Sequence, residues 1–526
     1  MSKIPVIDLF AGPGGLGEGF SALEDSSGAD TFGLRLSVEK DNYAHETLEL
    51  RSFFRQFPKG NAPEEYYHLI KSDIRIPEEF SDKKEKLFQL YPDESSRAKK
   101  EAWQATLGEV PVSVLDKRIT SEINGASSWV LIGGPPCQAY SLAGRVRNGG
   151  VNENDHRVYL YKEYLGIIAR HQPPVFVMEN VKGLLSAKVN GRGIFGMMLN
   201  DLQHPSGLFP DTGCPDYKVF SLSAKPAENV FSHQPLYNRK TDFLIECEKY
   251  GIPQKRHRVI LLGIRQDINV TEIPVLEESE PVSLQDVIGD LPRLRSGLSR
   301  RILSQKKGRD GRLKFKYEIL EDSFHNWRRI FNGLKKEILH SNGFTNKLNG
   351  TLQVSPSSRG GGFVLAKDPS KKPSKLASWY HDPRLEGVCN HESRGHLDDD
   401  LKRYFFASFF LKVHGRSPLL PDYPPSLLPK HKNAGSGKFV DRFRVQNPEQ
   451  PATTVTSHIS KDGHYFIHYD PNQCRSLTVR EAARIQTFPD NYFFCGSRTA
   501  QYRQVGNAVP PYLAFQIAKI VKFVLK

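Results

Sequence analysis

The sequence predicts an α/β fold, a parallel-rich sheet with helices on both faces, followed by a smaller domain of irregular patterning and a C-terminal piece that packs back on the sheet. Three observations carry this prediction. Short apolar runs rich in Val, Ile and Leu alternate with helical patterns through the first 270 or so residues, as in a parallel sheet with crossover helices. A glycine-rich turn follows the first of those runs. Residues able to do chemistry (Asp8, Glu39, the 133–137 segment and Glu179) fall at the C-terminal ends of the runs, where ligands gather on such sheets.

Strands are expected at 5–10, 34–39, 129–132, 174–178 and 258–264, each closed by Gly, Pro or a charged residue. Residues 159–171 fit a helix, with Leu160, Tyr164, Ile167 and Ile168 at helical spacing. Residues 81–128 form a charged, helical insertion without readable chemistry. The first domain therefore spans 1–268. From 269 to 445 the alternation fades into polar sequence punctuated by Gly and Pro, and this stretch is assigned to the second domain. Helical patterning resumes at 478–486 and 510–525, within a 446–526 segment expected to return to the first domain.

Composition narrows the function classes. The 526 residues are 38% hydrophobic and 10% aromatic, the balance of a globular protein, and no apolar run is long enough to span a bilayer. The N-terminus runs straight into a strand without signal-peptide features, so a cytoplasmic, nucleoid-associated location is expected. Six cysteines occur without any CxxC pair, a poor pattern for disulfides or structural zinc. Cys389, His391 and His396 are of zinc-ligand type, but no fourth ligand has motif spacing. The net charge is +14, and residues 300–376 alone hold eighteen Lys and Arg against six Asp and Glu. Aromatic residues interleave with these charges, the footprint of a polyanionic partner such as nucleic acid.

Five motifs carry chemistry. Gly12, Gly14 and Gly17 satisfy GxGxxG between a strand and a helix, and with Gly15 they form a turn suited to a nucleotide-like cofactor. Glu39, ending the next strand, is placed to accept ribose hydroxyls, and Asp73 is placed to end a third strand and reach an adenine amino group. The segment Gly133-Gly134-Pro135-Pro136-Cys137 presents a thiol on a loop stiffened by two prolines. Glu179 follows an apolar run that should desolvate it, and such a carboxyl can donate a proton or hydrogen bond. Arg256 and Arg258 enter a strand where alternation points both to one side, a pair suited to an oxyanion, a carbonyl oxygen or a thiolate.

Taken in order, DLFAGPGG, PPCQ, MENV, QKRHR, the LTVREAARIQTFPD block at 477–490 and VGNAVP at 505–510 closely resemble the motif series of DNA cytosine C5-methyltransferases of the prokaryotic restriction-modification type. Smaller matches are Asp155-His156-Arg157, Tyr250 before QKRHR and Tyr43 after Glu39. Where the family often has an aromatic residue just after the ribose-binding glutamate, this chain has Lys40, and Pro13 sits at a variable turn position.

The resemblance implies a Rossmann-like domain that uses S-adenosyl-L-methionine, a target-recognition domain at 269–445, and double-stranded DNA as substrate. It assigns Cys137 as nucleophile, Glu179 to the cytosine N3 and exocyclic amine, Arg258 to its O2, and Arg256 to orienting the site and keeping the thiol ionised. Phe10, Gly12, Gly14, Gly15, Glu39, Asp73, Pro135 and Asn507 become the cofactor contacts. It further implies base flipping by a mobile 139–150 loop, no metal, a monomer, and a cognate restriction endonuclease as possible partner. A nicotinamide-dependent oxidoreductase would explain the glycine turn and Glu39 but not the remaining motifs. A tRNA cytosine methyltransferase would share the chemistry with a smaller variable domain, and a catalytically silent DNA-binding protein would not keep every catalytic residue.

Overall fold

A computed structural model describes residues 3–74, 76–136, 160–189, 191–227, 234–270, 272–307, 313–341, 355–366, 368, 370, 372–429 and 440–525. The central sheet is built from β1 (Ile4–Leu9), β2 (Phe32–Glu39), β3 (Ala102–Gln104), β4 (Val130–Gly133), β5 (Val175–Val181), β6 (Tyr217–Ser221), β7 (Leu244–Glu246) and β8 (His257–Arg265). Its order is β3-β2-β1-β4-β5-β8-β6, with β7 pairing beside β8. Neighbours from β3 to β5 run parallel, while β8 is antiparallel to β5, β6 and β7. Chain order reverses between β1 and β4, so the crevice for a ligand opens at their carboxyl ends.

Side-chain alternation divides the core in two. Ile7, Leu9, Leu131, Phe176, Met178 and Leu261 pack on one face with the helices Val112–Ile123, Leu160–His171 and Ile194–Gln203. Val6, Val130, Ile132, Val177, Ile260 and Leu262 pack on the other, with Leu16 and Phe20 of the helix Gly15–Ser21 and Leu513, Ile517 and Val521 of the helix Pro511–Val524. The helix Pro511–Val524 thus covers the same face as the helix Gly15–Ser21.

Residues 81–128 are more than a helical insertion. The helices Pro77–Leu90 and Pro92–Glu101 lead into β3, which extends the sheet beyond β2 by pairing Ser37 with Ala102 and Glu39 with Gln104. Phe88 stacks on Phe53 at 4.8 Å between ring centroids, and Arg55 pairs with Glu101.

The polar 269–445 stretch also carries regular structure. The helices Phe324–Ser341 and Asp398–His414 bury Trp327, Phe331, Tyr404 and Phe405 in a core of their own, joined by Ile467 and Cys474. Two hairpins, Arg300–Lys307 with Leu313–Ile319 and Gly360–Leu365 with Gly387–Glu392, accompany them. Among the described residues no helix is long and apolar enough to cross a membrane.

Candidate active site

The turn after β1 is shaped by steric limits on both sides. Gly12 and Gly14 hold φ of 59° and 94°, in the left-handed region where glycine has no Cβ penalty. A Cβ on Gly14 would come within 2.7 Å of Leu48 Cδ2, and one on Gly15 within 2.1 Å of the Val509 carbonyl oxygen. At Gly12 a Cβ would meet nothing within 4 Å, so this side of the turn faces open space. Phe10 is itself left-handed at φ 57°, a strained conformation for a residue with a Cβ. The Gly12 amide donates to Glu39 Oε2 at 2.9 Å and the Asp41 amide to Oε1 at 2.7 Å. Burial is the largest influence on Glu39 and raises its pKa. A nucleotide-like group fits this cradle: its wall is backbone, its open side is Gly12, and a half-buried carboxylate ends the adjacent strand.

The C-terminal segment closes the cradle. Val509 presses on Gly15, the Tyr492 hydroxyl donates to the Pro13 carbonyl, and Asn507 stands exposed at the end of the helix Arg498–Asn507. Tyr492 was not singled out from sequence, since nothing local marks a tyrosine for a partner 479 residues away.

Glu179, near the end of β5, is 9% exposed. Its register partner is Ile260 on β8, so Arg258 lies diagonal to it on the same face. Arg258 Nε stands 2.7 Å from Glu179 Oε1. The carboxyl that follows the apolar run thus has a cation beside it. From β4, a Cβ on Gly134 would lie 3.2 Å from Glu179 Oε2, so the loop that continues through buried Pro135 starts against this carboxyl. Cys137, the 139–150 loop and Asp155, His156 and Arg157 lie outside the described residues.

Two expectations change. Arg256 does not share a side with Arg258, because the strand is interrupted at residue 256. Its guanidinium is 1% exposed and donates from Nη1 to the carbonyls of Val455 at 2.9 Å and Gly506 at 3.4 Å. Asp73 does not end a strand. It follows the helix Glu64–Ile70, the third strand is Ala102–Gln104 instead, and Asp73 Oδ1 accepts the Gly362 amide at 2.7 Å. The Gly-rich 355–362 stretch is held in place: Arg359 pairs with Asp322 and Glu392, and Gly360–Gly362 enter a strand. The zinc candidates are used elsewhere, Cys389 Sγ towards Ile70, His391 between Thr478 and Pro292, and His396 on Ser476.

The 477–490 block is scaffolding. Arg480 donates to the carbonyls of Cys389, Pro489 and Tyr492, and Arg484 pairs with Asp490 and Asp290. Buried guanidinium groups that end on carbonyls and carboxylates fix the segments they join. A cavity of ≈ 580 Å³ lined by Arg293, Asp470, Asn472, Arg475 and Glu481 lies apart from the motif-bearing turns.

Comparison with known proteins agrees with this arrangement. The family model for C-5 cytosine-specific DNA methylases matches residues 93–205 and 236–522. The chain is 33% identical over 99% of both sequences to the type II methyltransferase M.Bpa9945I of Bacillus paralicheniformis. It is 26% identical to the type II methyltransferase M.DdeI of Desulfomicrobium norvegicum over 98% of this chain and 88% of that protein. It is also 26% identical to the DNA (cytosine-5-)-methyltransferase M.ApeKI of Aeropyrum pernix, over 81% of this chain and 87% of that protein. A family match over most of the chain, together with an end-to-end relative one-third identical, establishes that this protein belongs to the C-5 cytosine-specific DNA methylases and is a DNA (cytosine-5-)-methyltransferase.

Proposed function

We propose that the protein methylates C5 of a cytosine flipped out of a specific double-stranded DNA sequence, through a covalent bond between Cys137 and C6. The observation that carries this reading is the convergence of the β4 turn on Glu179, with Arg258 at 2.7 Å. A base stacked in a duplex cannot reach such a recessed edge and must be extruded.

In this mechanism the Cys137 thiolate adds to C6 and splits one hard step into easier ones. Glu179 delivers a proton towards N3 as the ring gains electrons, which prevents charge from building up there. Bound S-adenosyl-L-methionine supplies a methyl group activated on sulfonium. After C5 takes the methyl, it loses its proton, Cys137 leaves with its electron pair and the N3 proton returns to Glu179, restoring the aromatic ring. Arg258 orients Glu179 and lies near enough to share in holding the base. Arg256 positions the site by tying the Val455 and Gly506 carbonyls together. Phe10, Gly12, Gly14, Gly15, Glu39, Pro135 and Asn507 would hold the cofactor.

The type II methyltransferase names of the relatives support a place beside a cognate restriction endonuclease. Bisulfite sequencing of DNA from cells expressing the chain reports activity and target together. The mechanism is tested with Cys137→Ser. Wild type should form a denaturation-resistant adduct with DNA carrying 5-fluorocytosine, and the variant should form none while still binding cofactor, because a hydroxyl is far less ionised than a thiol. Normal turnover by the serine variant would overturn the mechanism.

A further inference from the structure

Asp8 is a charged residue that the mechanism above does not use. It lies on β1 one position before Leu9, and its side chain points to the face covered by the helix Gly15–Ser21. The residue is 0% exposed, and neither carboxyl oxygen has a hydrogen-bond partner among the described residues. A Cβ on Gly17 would sit 3.2 Å from Oδ2, so the carboxyl lies beneath the first turn of the helix that leaves the cofactor cradle. A bare carboxylate buried without partners is costly, and such a group either takes up a proton or gains a compensating charge.

We propose that Asp8 is a proton-linked positioning residue of the cofactor turn, neutral while the cradle is empty and ionised, with release of its proton to solvent, when a sulfonium nucleoside binds. This rests on the reading that the cradle takes S-adenosyl-L-methionine. The charged groups around Asp8 are Arg55 of the helix Asn42–Arg55, Glu39 of β2 and Glu101 of the helix Pro92–Glu101. Tyr164 of the helix Leu160–His171 and Tyr492 of the C-terminal block complete the surroundings. Two of the three charges are acidic and oppose ionisation, and Arg55 is shared with Glu101 and Glu18. Burial dominates and raises the Asp8 pKa to about 8, while the Gly17 amide favours the ionised form without making a well-formed hydrogen bond. An added cation above the turn favours the carboxylate, since opposite charge nearby stabilises the ionised form. The demethylated product, S-adenosylhomocysteine, has the same nucleoside and amino-acid groups but no sulfonium charge. Asp8 therefore lets the fold distinguish cofactor from product by charge.

The test is calorimetric titration of the full chain with each ligand in two buffers of different ionisation enthalpy. Wild type should release more protons with S-adenosyl-L-methionine than with S-adenosylhomocysteine. Its preference for the former should grow roughly fivefold or more between about pH 6 and about pH 9, the size of a modest coupling. Asp8→Asn should bind both ligands with the extra proton release gone and the preference flat in pH. Equal proton release by wild type and Asp8→Asn would overturn the proposal. If Asp8→Asn fails to fold, infrared spectra of wild type decide: a protonated carboxylic-acid band lost on adding S-adenosyl-L-methionine supports the proposal, and a band absent from the empty protein or unchanged on binding overturns it. Binding itself reports separately on the cofactor reading, because a chain that takes up neither ligand fails that reading before any proton is counted.

Discussion

Arg258 and Glu179 meet at 2.7 Å across adjacent antiparallel strands, so the proton donor assigned to the cytosine ring is held by a cation on the same face of the sheet. Glu179→Gln should lower the single-turnover rate by roughly 100-fold or more, the usual loss for a positioned acid–base group, with DNA affinity little changed. Arg258→Ala leaves a buried carboxyl without its partner, and both the melting temperature and the single-turnover rate should fall. An unchanged Glu179→Gln rate would remove this residue from the catalytic set.

Arg256 should behave as a positioning residue. Arg256→Ala strands the carbonyls of Val455 and Gly506, at a cost of about 1–3 kcal/mol for a buried acceptor left unpaired. Melting temperature and cofactor affinity should fall, while the single-turnover rate at saturating cofactor stays near wild type. A lost chemical step in a fully folded, cofactor-saturated variant would return Arg256 to the chemistry.

Two neighbouring glycines should respond differently to the same substitution. Gly15→Ala drives a methyl group to within 2.1 Å of the Val509 carbonyl oxygen, backbone that cannot yield locally, so the C-terminal turn must separate from the cradle. Gly12→Ala meets open space and is strained only by its φ of 59°, a penalty of about 1–2 kcal/mol. Thermal unfolding should rank Gly15→Ala as the more damaging change. The reverse order would mean that the closure over the turn is not a rigid contact.

Stability should depend on pH from two sides. Burial lowers the pKa of both His391 and His468 to about 4, so the fold favours their neutral forms. Their contribution is full above the ordinary histidine pKa of about 6.5 and is lost as pH falls from there towards 4. Asp8 has the opposite sign: the protonated form is favoured, and its contribution declines above the ordinary carboxyl range until it is gone above about 8. The melting temperature of the cofactor-free protein should peak near neutrality, and Asp8→Asn should flatten the alkaline limb and steepen the acid one. An alkaline limb of the same slope in the variant would assign that loss to other groups.

Sequence choice should reside in 269–445. Lys306 and Lys372 are exposed there, and on the Arg300–Lys307 hairpin Lys306 stands directly opposite Lys314, a like-charge pair that repels unless an anion lies between. Lysines of this kind should bind phosphates, with affinity falling steeply with salt. Replacing 269–445 by the equivalent segment of a related enzyme of known target should redirect methylation across a genome. An active chimera that still marks the original sites would place specificity elsewhere.

The sequence by itself determined the strand ends and what they present. Glycine turns, proline-stiffened loops and short continuous apolar runs are local, so Gly12, Gly14, Pro135 and Glu179 could be placed at the sheet edge from sequence alone. Only the tertiary structure decided what those ends touch. The third strand is just three residues, Ala102–Gln104, in a charged helical stretch, too short for a periodic signal, so the local sequence around Asp73 points to a strand that the fold forms elsewhere. Arg256 reads in sequence like Arg258, and a one-residue break in the strand separates their directions. The contact of Val509 on Gly15 joins residues almost 500 positions apart. Such contacts follow from how whole faces pack, which no window of local sequence contains.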